Sequence, residues 1–169
     1  MNPISAPAQI TFRSASNADR EQIKNIVYGV LHEYGLSPEP AGTDIDLEDI
    51  DKNYLQRGGV FEVLQDAADE QGNLVGTVGL YPIDPKEAAT IELRKMYFLP
   101  RLRGQGWGKK TLTRMIERAR ELGFKRITLE THSSLIEAIG LYKSFGFAPS
   151  CEGEGKHSAR CDQVFILEL

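Results

Sequence analysis

A glycine-rich, basic stretch between residues 99 and 110, here called the glycine loop, has the composition of an anion-binding site. Gly104, Gly106 and Gly108 alternate with other residues and lead into an amphipathic helical pattern. Glycine lets the backbone turn tightly and brings N–H groups close to a ligand. A helix N-terminus adds unpaired N–H groups and a partial positive charge, which suit phosphate. The loop therefore predicts a phosphate site; the alternative is a glycine-rich turn with a solvated basic face.

The distribution of charge favours the phosphate site. The chain has a net charge of −4, yet the stretch from Arg94 to Lys110 holds six basic residues and no acidic one. Lysines in the first turn of a helix, such as Lys109, oppose the helix dipole, and a bound polyanion would reverse that cost. The basic run has the length of one phosphate cluster, and the acidic remainder of the chain argues against general nucleic-acid binding.

Two other nucleotide-binding loops are excluded because residues that they require are missing. A Walker A loop needs Gly-x4-Gly-Lys-Ser/Thr. Here Arg103 stands where the first glycine is needed, and Lys110 stands where the magnesium-binding hydroxyl is needed. A Rossmann loop needs Gly-x-Gly-x-x-Gly, but Lys109 stands at its third glycine.

Two short motifs, one in the glycine loop and one downstream, carry a family resemblance. Arg103-x-x-Gly106-x-Gly108 has the pattern Arg/Gln-x-x-Gly-x-Gly/Ala, and Ala138 to Phe147 has most of the pattern Asn-x-x-Ala-x-x-Leu-Tyr-x-x-x-Gly-Phe. Together they resemble the GCN5-related N-acetyltransferases, the GNAT superfamily, in spacing and in order along the chain. One position departs from the family: Leu135 replaces the asparagine that helps to hold the pantetheine arm, with Ser133 or Ser134 as candidate substitutes.

The resemblance implies acetyl-CoA as a co-substrate and no metal. Its pyrophosphate would rest on backbone N–H groups of the glycine loop, and its pantetheine would pair with the fourth strand. The implied reaction transfers the acetyl group to a primary amine of a small molecule or peptide, by direct attack in a ternary complex. The alternative is an acyl-CoA-binding sensor or interaction module whose catalysis has lapsed. The implied cofactor-binding residues are Met96, Tyr97, Phe98, Arg103, Gly104, Gln105, Gly106, Trp107, Gly108 and Lys109.

Three side chains match positions at which the family has its acid and base. Tyr142 matches the tyrosine whose hydroxyl points at the sulfur, which makes it the candidate proton donor to the leaving thiolate; the alternative is an aromatic ring packed between helix and sheet. Glu92 and Glu130 match two positions of a general base, and either could instead pair with a neighbour such as Arg94. Glu92 lies four residues before Met96, which predicts the same strand face while the pleat stays regular.

The elements that must position these residues follow from the hydrophobic period. Helical spacing of apolar residues predicts helices, and alternation predicts strands. With the resemblance, the pattern indicates one α/β domain over residues 1–169, with a mixed, mostly antiparallel central sheet flanked by helices in the order βααβββαβαββ. The predicted strands are Gln9–Arg13, Val60–Leu64, Leu74–Ile83, Thr90–Leu99, Arg126–Thr131, Phe147–Cys151 and Asp162–Leu169. The predicted helices run from the cap Ser16 or Asn17 to Gly35, then over Asp46–Arg57, Gly106–Glu121 and Ile136–Phe145.

Composition is typical of a single globular domain. The chain has 169 residues, 41% hydrophobic, and none of its apolar runs approaches the roughly 18 residues of a membrane helix. The N-terminus lacks the basic head and apolar core of a signal peptide. Cys151 and Cys161 are too few for a disulfide framework or a zinc site of their own. We therefore expect a cytoplasmic protein without metal, nucleic-acid or membrane partners; a homodimer is a further expectation, because GNAT proteins are often dimers.

The residues from Glu39 to Asp51, here called the acidic segment, include six acids and no base. In relatives this region covers the acceptor side. Exposed acids there would attract a positively charged acceptor, over a distance of about 8 Å at physiological salt. The sequence therefore predicts a cationic amine as acceptor; the alternative is a solvated acidic loop.

Overall fold

The computed structural model of the protein describes residues 9–83, 89–150 and 158–169. In those ranges, none of the helices is long and apolar enough to cross a membrane. The strands are β1 (Ile10–Ser14), β2 (Val60–Asp66), β3 (Leu74–Pro82), β4 (Thr90–Phe98), β5 (Arg126–Thr131), β6 (Ala148–Pro149) and β7 (Gln163–Glu168). The α-helices are α1 (Arg20–Glu33), α2 (Trp107–Glu121) and α3 (Ile136–Ser144).

The strands form one sheet in the order β1-β2-β3-β4-β5-β7-β6. All neighbouring pairs are antiparallel except β4 and β5, which are parallel. The predicted mixed, mostly antiparallel sheet is confirmed, and all seven predicted strands begin within one residue of their observed starts.

Helices cover both faces of the sheet because their apolar residues recur at helical spacing. On one face, α1 buries Ile23, Val27 and Val30 in a core that also contains Tyr54 and Phe61. On the other face, α2 packs against the centre of the sheet and α3 packs beside it. The buried residues of this second core include Val78, Leu80, Ile91, Leu93, Leu112, Met115, Ile116, Ala119, Ile127 and Tyr142.

The predicted second helix, Asp46–Arg57, does not form as one regular α-helix. The chain there forms a 3-10 turn over Thr43–Glu48 and a π-helical turn over Asp51–Leu55. Polar side chains take backbone donors that a helix would use: Asn17 accepts from the N–H of Ile50 at 2.7 Å, and Asp49 accepts from the N–H of Lys52 at 3.0 Å. Competition for these donors, from the distant Asn17 and from the nearby Asp49, favours turns over a regular helix.

Strand β4 changes its course at Lys95, and this change opens the sheet. Lys95 and Met96 together face the single residue Val78 of β3, which is a β-bulge, and Lys95 has a left-handed φ of +54°. On its other side β4 pairs with β5 only over Thr90–Glu92. Beyond that point the two parallel strands diverge, so the second half of β4 presents an unpaired edge.

Gly79 on β3 lies beneath two buried aromatic rings. A Cβ there would lie 2.6 Å from Cε1 of Tyr54 and 3.0 Å from Cδ2 of Phe61. Because an extra methyl group in a dense core displaces its neighbours, we expect Gly79→Ala to lower the free energy of unfolding by about 1–3 kcal/mol. Gly29→Ala is the matched control, because Gly29 lies on the exposed face of α1 and a Cβ there would have nothing within 4 Å. This substitution should raise the free energy of unfolding by about 1 kcal/mol. Urea unfolding measures both; equal stability of Gly79→Ala and the wild type would contradict the packing.

Candidate active site

A cavity of about 540 Å³ occupies the place where β4 and β5 diverge. Its walls come from β4 from Glu92 onward, the end of β5, the glycine loop, α3 and the segment that leads into β7, and also from α1, the residues that follow α1 and Thr43 of the acidic segment. It brings together residues that are far apart in the sequence, including Glu92, Met96, Tyr97, Phe98, Arg103, Gly104, Gly108, Glu130, Tyr142, Arg160 and Cys161. The cavity therefore contains all three predicted catalytic side chains and part of the predicted cofactor set.

The glycine loop turns into α2 through left-handed backbone. Gly104 has φ +72°, and Gly106, the N-cap of α2, has φ +83°. L side chains rarely adopt this conformation, whereas glycine does so freely. The loop thus delivers the N-terminus of a 15-residue helix to one end of the cavity. The phosphate site itself stays a prediction, for which this loop supplies a helix N-terminus.

Several side chains of the loop hold the loop itself in place. Arg103 donates from Nε and Nη2 to the carbonyl of Phe98 at 3.0 and 2.9 Å, and its Nη1 pairs with Glu33 of α1 at 2.6 Å. Gln105 donates to the carbonyl of Arg101 at 2.6 Å. These bonds fasten the loop to β4, to α1 and to itself, which favours a ligand site made of backbone N–H groups.

The single tryptophan of the chain opens α2 and packs inward. The ring centroid of Trp107 lies 6.1 Å from that of Phe12, and Nζ of Lys110 lies 4.2 Å from the Trp107 centroid. Lys109, the last predicted cofactor residue, is exposed. In this arrangement the indole stabilises the start of the helix, so only the backbone of Trp107 is placed to serve a ligand of the loop.

The open edge of β4 carries the residues predicted to pair with pantetheine. Met96, Tyr97 and Phe98 all line the cavity. On the opposite side of β4, Tyr97 and Phe98 pair with Thr77 and Gly76 of β3. Burial raises the pKa of the Tyr97 hydroxyl to about 12. One side of this segment is thus fixed in the sheet, and its other side is left for an added strand.

Tyr142 lies on α3 with its ring buried and only 7% of the residue exposed. Its ring centroid is 5.8 Å from that of Phe147, so the packing role that the sequence allowed is real. The residue also lines the cavity. Burial raises the pKa of its hydroxyl well above the usual value of 10, because the ionised form would lose its hydration. Tyr142 therefore keeps its proton at neutral pH.

Glu92 does not share a strand face with Met96, and that expectation is wrong. The bulge at Lys95 breaks the alternation: Leu93 and Met96 pack with the same core, which leaves Glu92 on the opposite face with Arg94. Glu92 is 3% exposed and its carboxylate lies 2.7 Å from Nη2 of Arg94. Glu92 thus has Arg94 as the neighbouring partner that the sequence allowed, and it also lines the cavity, so its role as a base stays a prediction.

Glu130 reaches the cavity from β5, where it pairs in register with Val164 of β7. It is half-buried. Cys161, a free thiol, lines the same cavity; burial and, less strongly, the charge of Glu130 raise the pKa of this thiol. The other cysteine, Cys151, lies outside the described residues.

The turn between β5 and α3 shows how the replaced asparagine is accommodated. Leu135 is the N-cap of α3 and lines the cavity. Ser133 donates from its N–H and its hydroxyl to Asp162 at 2.8 and 2.7 Å, and the hydroxyl of Ser134 lies 2.8 Å from Nδ1 of His132. Ser133 is thus engaged with the segment that leads into β7, and Ser134 is engaged within its own turn.

Sequence reasoning missed an ion cluster of Asp44, Lys95 and Arg160. Asp44 is fully buried and accepts from Nη1 and Nη2 of Arg160 at 2.7 and 2.9 Å; it also pairs with Lys95. Burial alone would raise the pKa of this carboxyl, but the hydrogen bonds from Arg160 and the charge of Lys95 outweigh it and hold the pKa well below its usual range. These residues lie 51 and 116 positions from Asp44, so no local spacing links them.

A second buried acid of the acidic segment is neutralised in the same way. Asp46 is 3% exposed, accepts from the hydroxyl of Tyr54 at 2.6 Å and pairs with Arg94 at 3.3 Å. The prediction that the acids of the acidic segment are exposed is therefore wrong for Asp44 and Asp46. Both carboxylates compensate buried cations of β4 and of the segment before β7.

Within residues 9–83, 89–150 and 158–169, no group of three or more His, Cys, Asp and Glu side chains could hold a metal ion.

Comparison with known proteins agrees with this geometry. A sequence model described as the Acetyltransferase (GNAT) family matches residues 27–147, which include the glycine loop, both predicted bases and Tyr142. The chain belongs to the GNAT acetyltransferase family. This match confirms the resemblance that the two sequence motifs carried.

Relatives extend the GNAT match over the whole chain. An uncharacterized N-acetyltransferase of Escherichia coli (strain K12), YjgM, is 39% identical over 176 aligned residues, which cover 100% of both chains. A GNAT acetyltransferase from Staphylococcus aureus Mu50 has a TM-score of 0.84 at 24% identity, over 95% of this chain and 99% of that chain. A phosphinothricin acetyltransferase from Sinorhizobium meliloti, solved in complex with AcCoA, has a TM-score of 0.71 at 21% identity, over 95% and 88%. The fold is therefore that of GNAT proteins.

The buried carboxylate of Asp44 should make stability depend on pH. A carboxyl whose pKa is lower in the folded than in the unfolded state, where it is near 4, stabilises the fold above that value and loses this contribution as the pH falls. We expect Asp44→Asn to be less stable than the wild type by about 3 kcal/mol at neutral pH, because it leaves buried cations without their partner. The difference in the free energy of unfolding between the wild type and Asp44→Asn should become smaller below about pH 4. Denaturant unfolding over a pH series measures it, and a constant difference down to pH 2 would contradict the assignment.

Proposed function

We propose that this protein transfers the acetyl group of acetyl-CoA to a primary amine of a small molecule or peptide, by direct attack in a ternary complex. The observation that carries the proposal is the cavity between the diverging strands β4 and β5. It runs from the glycine loop to Tyr142, Glu92 and Glu130. One space thus joins an anion-binding helix N-terminus, an open strand edge and three groups able to handle protons.

The cofactor fits this cavity in two parts. The pyrophosphate would accept hydrogen bonds from backbone N–H groups of the glycine loop at the N-terminus of α2. The amide groups of pantetheine would pair with the open edge of β4 along Met96–Phe98, as an added strand does. The thioester would then lie near the bulge, at the end of the cavity that Tyr142 and the carboxylates share.

The proposed reaction needs one proton to leave the amine and one to reach the sulfur. The amine nitrogen attacks the thioester carbon, a C–N bond forms, and the C–S bond breaks with its electron pair leaving on sulfur. Tyr142 would donate a proton to that thiolate, because burial keeps its hydroxyl protonated. Glu92 and Glu130 are the two candidate acceptors of the amine proton, directly or through water.

The acceptor and the compartment are narrower parts of the proposal. Asp44 and Asp46 are neutralised within the protein, so only exposed acids such as Glu48 could attract a cationic acceptor. Glu48 itself already pairs with Lys24. We therefore propose a primary amine as the acceptor, with its further charge left open to assay. We place the reaction in the cytoplasm, where reducing conditions keep the Cys161 thiol free.

A thiol-release assay with acetyl-CoA and a panel of amino acids, diamines and peptides with a free N-terminus tests the function. The wild type should release CoA with at least one amine. Gly106→Ala should weaken acetyl-CoA binding at least tenfold, because alanine strains the backbone at φ +83° in the loop. Gly123→Ala is the matched control: φ is +86° at the other end of α2, so the backbone strain is similar and binding should persist. Acetyl-CoA binding without any acetylated amine would support the lapsed binding module instead.

Tyr142→Phe should lower turnover much more than it weakens acetyl-CoA binding. Phenylalanine keeps the ring packed near Phe147 and removes only the proton donor, whose assistance is typically worth 10²–10⁴-fold. Since burial raises the pKa of Tyr142 above 10, kcat of the wild type should not decline on the alkaline side up to about pH 10. Steady-state kinetics and titration calorimetry separate the two effects. Full activity of the variant would leave Tyr142 with its packing role alone.

A further inference from the structure

Lys95 holds an unfavourable backbone conformation at the centre of the site. Among the residues that the structure describes, it is the only non-glycine residue with a positive φ, at +54°. The left-handed conformation costs an L-residue with a Cβ of order 1–2 kcal/mol. Such a conformation persists only when the surrounding structure fixes it.

Two buried anchors fix the bulge at Lys95. Its side chain is 3% exposed and pairs with Asp44 and, at 3.5 Å, with Asp46; it also donates to the carbonyl of Thr43 at 3.3 Å. Its own carbonyl accepts from the fully buried hydroxyl of Thr77 on β3 at 2.6 Å. The side chain therefore fixes the bulge from one side, and the neighbouring strand fixes it from the other.

The same lysine joins three parts of the cavity wall. Asp44 lies in the acidic segment and also accepts from the N–H of Glu39 at 2.7 Å. The fork of Arg160 binds the two oxygens of Asp44 and brings in the segment that leads into β7. Through Asp44, the bulge of β4 is thus tied to the acidic segment and to the approach to β7.

We infer that Lys95 is a positioning residue that couples the acidic segment to the bulge of β4 and so aligns the acceptor with the thioester. This inference rests on the proposed acetyl transfer. The bulge begins the edge on which pantetheine would pair, and the acidic segment borders the same cavity at Thr43. A small displacement of either wall would separate the reacting atoms, and a misplacement of about 1 Å can cost about 100-fold in rate.

Lys95→Met tests the coupling because it keeps the length of the side chain and removes its charge. We expect kcat to fall at least tenfold and the dissociation constant of acetyl-CoA to change less than threefold. Amide hydrogen exchange should become faster in residues 39–48 and 95–98 together, beyond any change elsewhere. Lys95→Gly removes the same side chain but lets the backbone adopt φ +54° without strain. Its kcat should stay as low as that of Lys95→Met, because the anchor to Asp44 is still missing.

Arg13→Met is the matched control, since it also removes a cation from a buried acid. Arg13 pairs with Asp19 at 2.7 Å, at the start of α1 and outside the cavity. It should lower stability without changing kcat or the exchange of the two segments. Unchanged kcat in Lys95→Met, or restored kcat in Lys95→Gly, would overturn the inference.

Hydrogen exchange separates this inference from the proposed function. If the wild type released CoA with no amine, the proposed function would fail, but exchange would still report on the coupling. Faster exchange in both segments of Lys95→Met, absent from Arg13→Met, would then support the coupling. Exchange that is unchanged, or faster in only one of the two segments, would overturn it.

Discussion

The ion cluster of Asp44, Lys95 and Arg160 is the constraint on which the site depends. A buried charge is tolerated only when a partner of opposite charge lies beside it, and loss of one partner leaves the other uncompensated. Asp44 compensates two cations that come from distant parts of the chain. A shift of any of these three segments would therefore leave a buried charge without its partner.

Backbone groups form much of the site, and its two ends offer different ones. At one end, glycines and the start of α2 present N–H groups, while the side chain of Arg103 ties the loop to Phe98 and Glu33. At the other end, the divergence of β4 from β5 leaves a strand edge unpaired. Side chains with chemistry of their own, such as Tyr142 and Glu130, line the same cavity.

Periodicity predicted most strands and α1, α2 and α3, whereas β2 and β3, which are buried on both faces, follow from short apolar runs between turns. Short motifs predicted the glycine loop. The errors share a physical cause: each depends on a contact between distant residues. The second helix fails because Asn17 binds the backbone of Ile50, and the expected face of Glu92 fails because a bulge intervenes at Lys95. The partners of Asp44 could not be read from spacing, since opposite charges far apart in a sequence pair only once the fold exists.

The position of Trp107 gives the molecule an internal optical probe. It is the only tryptophan of the chain, so all indole fluorescence comes from one place: the first residue of α2, between Phe12 and the ammonium group of Lys110. A nearby cation shifts the emission of an indole, and Lys110 belongs to the basic first turn that an anion would attract. Emission from the native protein, without any attached dye, therefore reports the electrostatic state of the glycine loop.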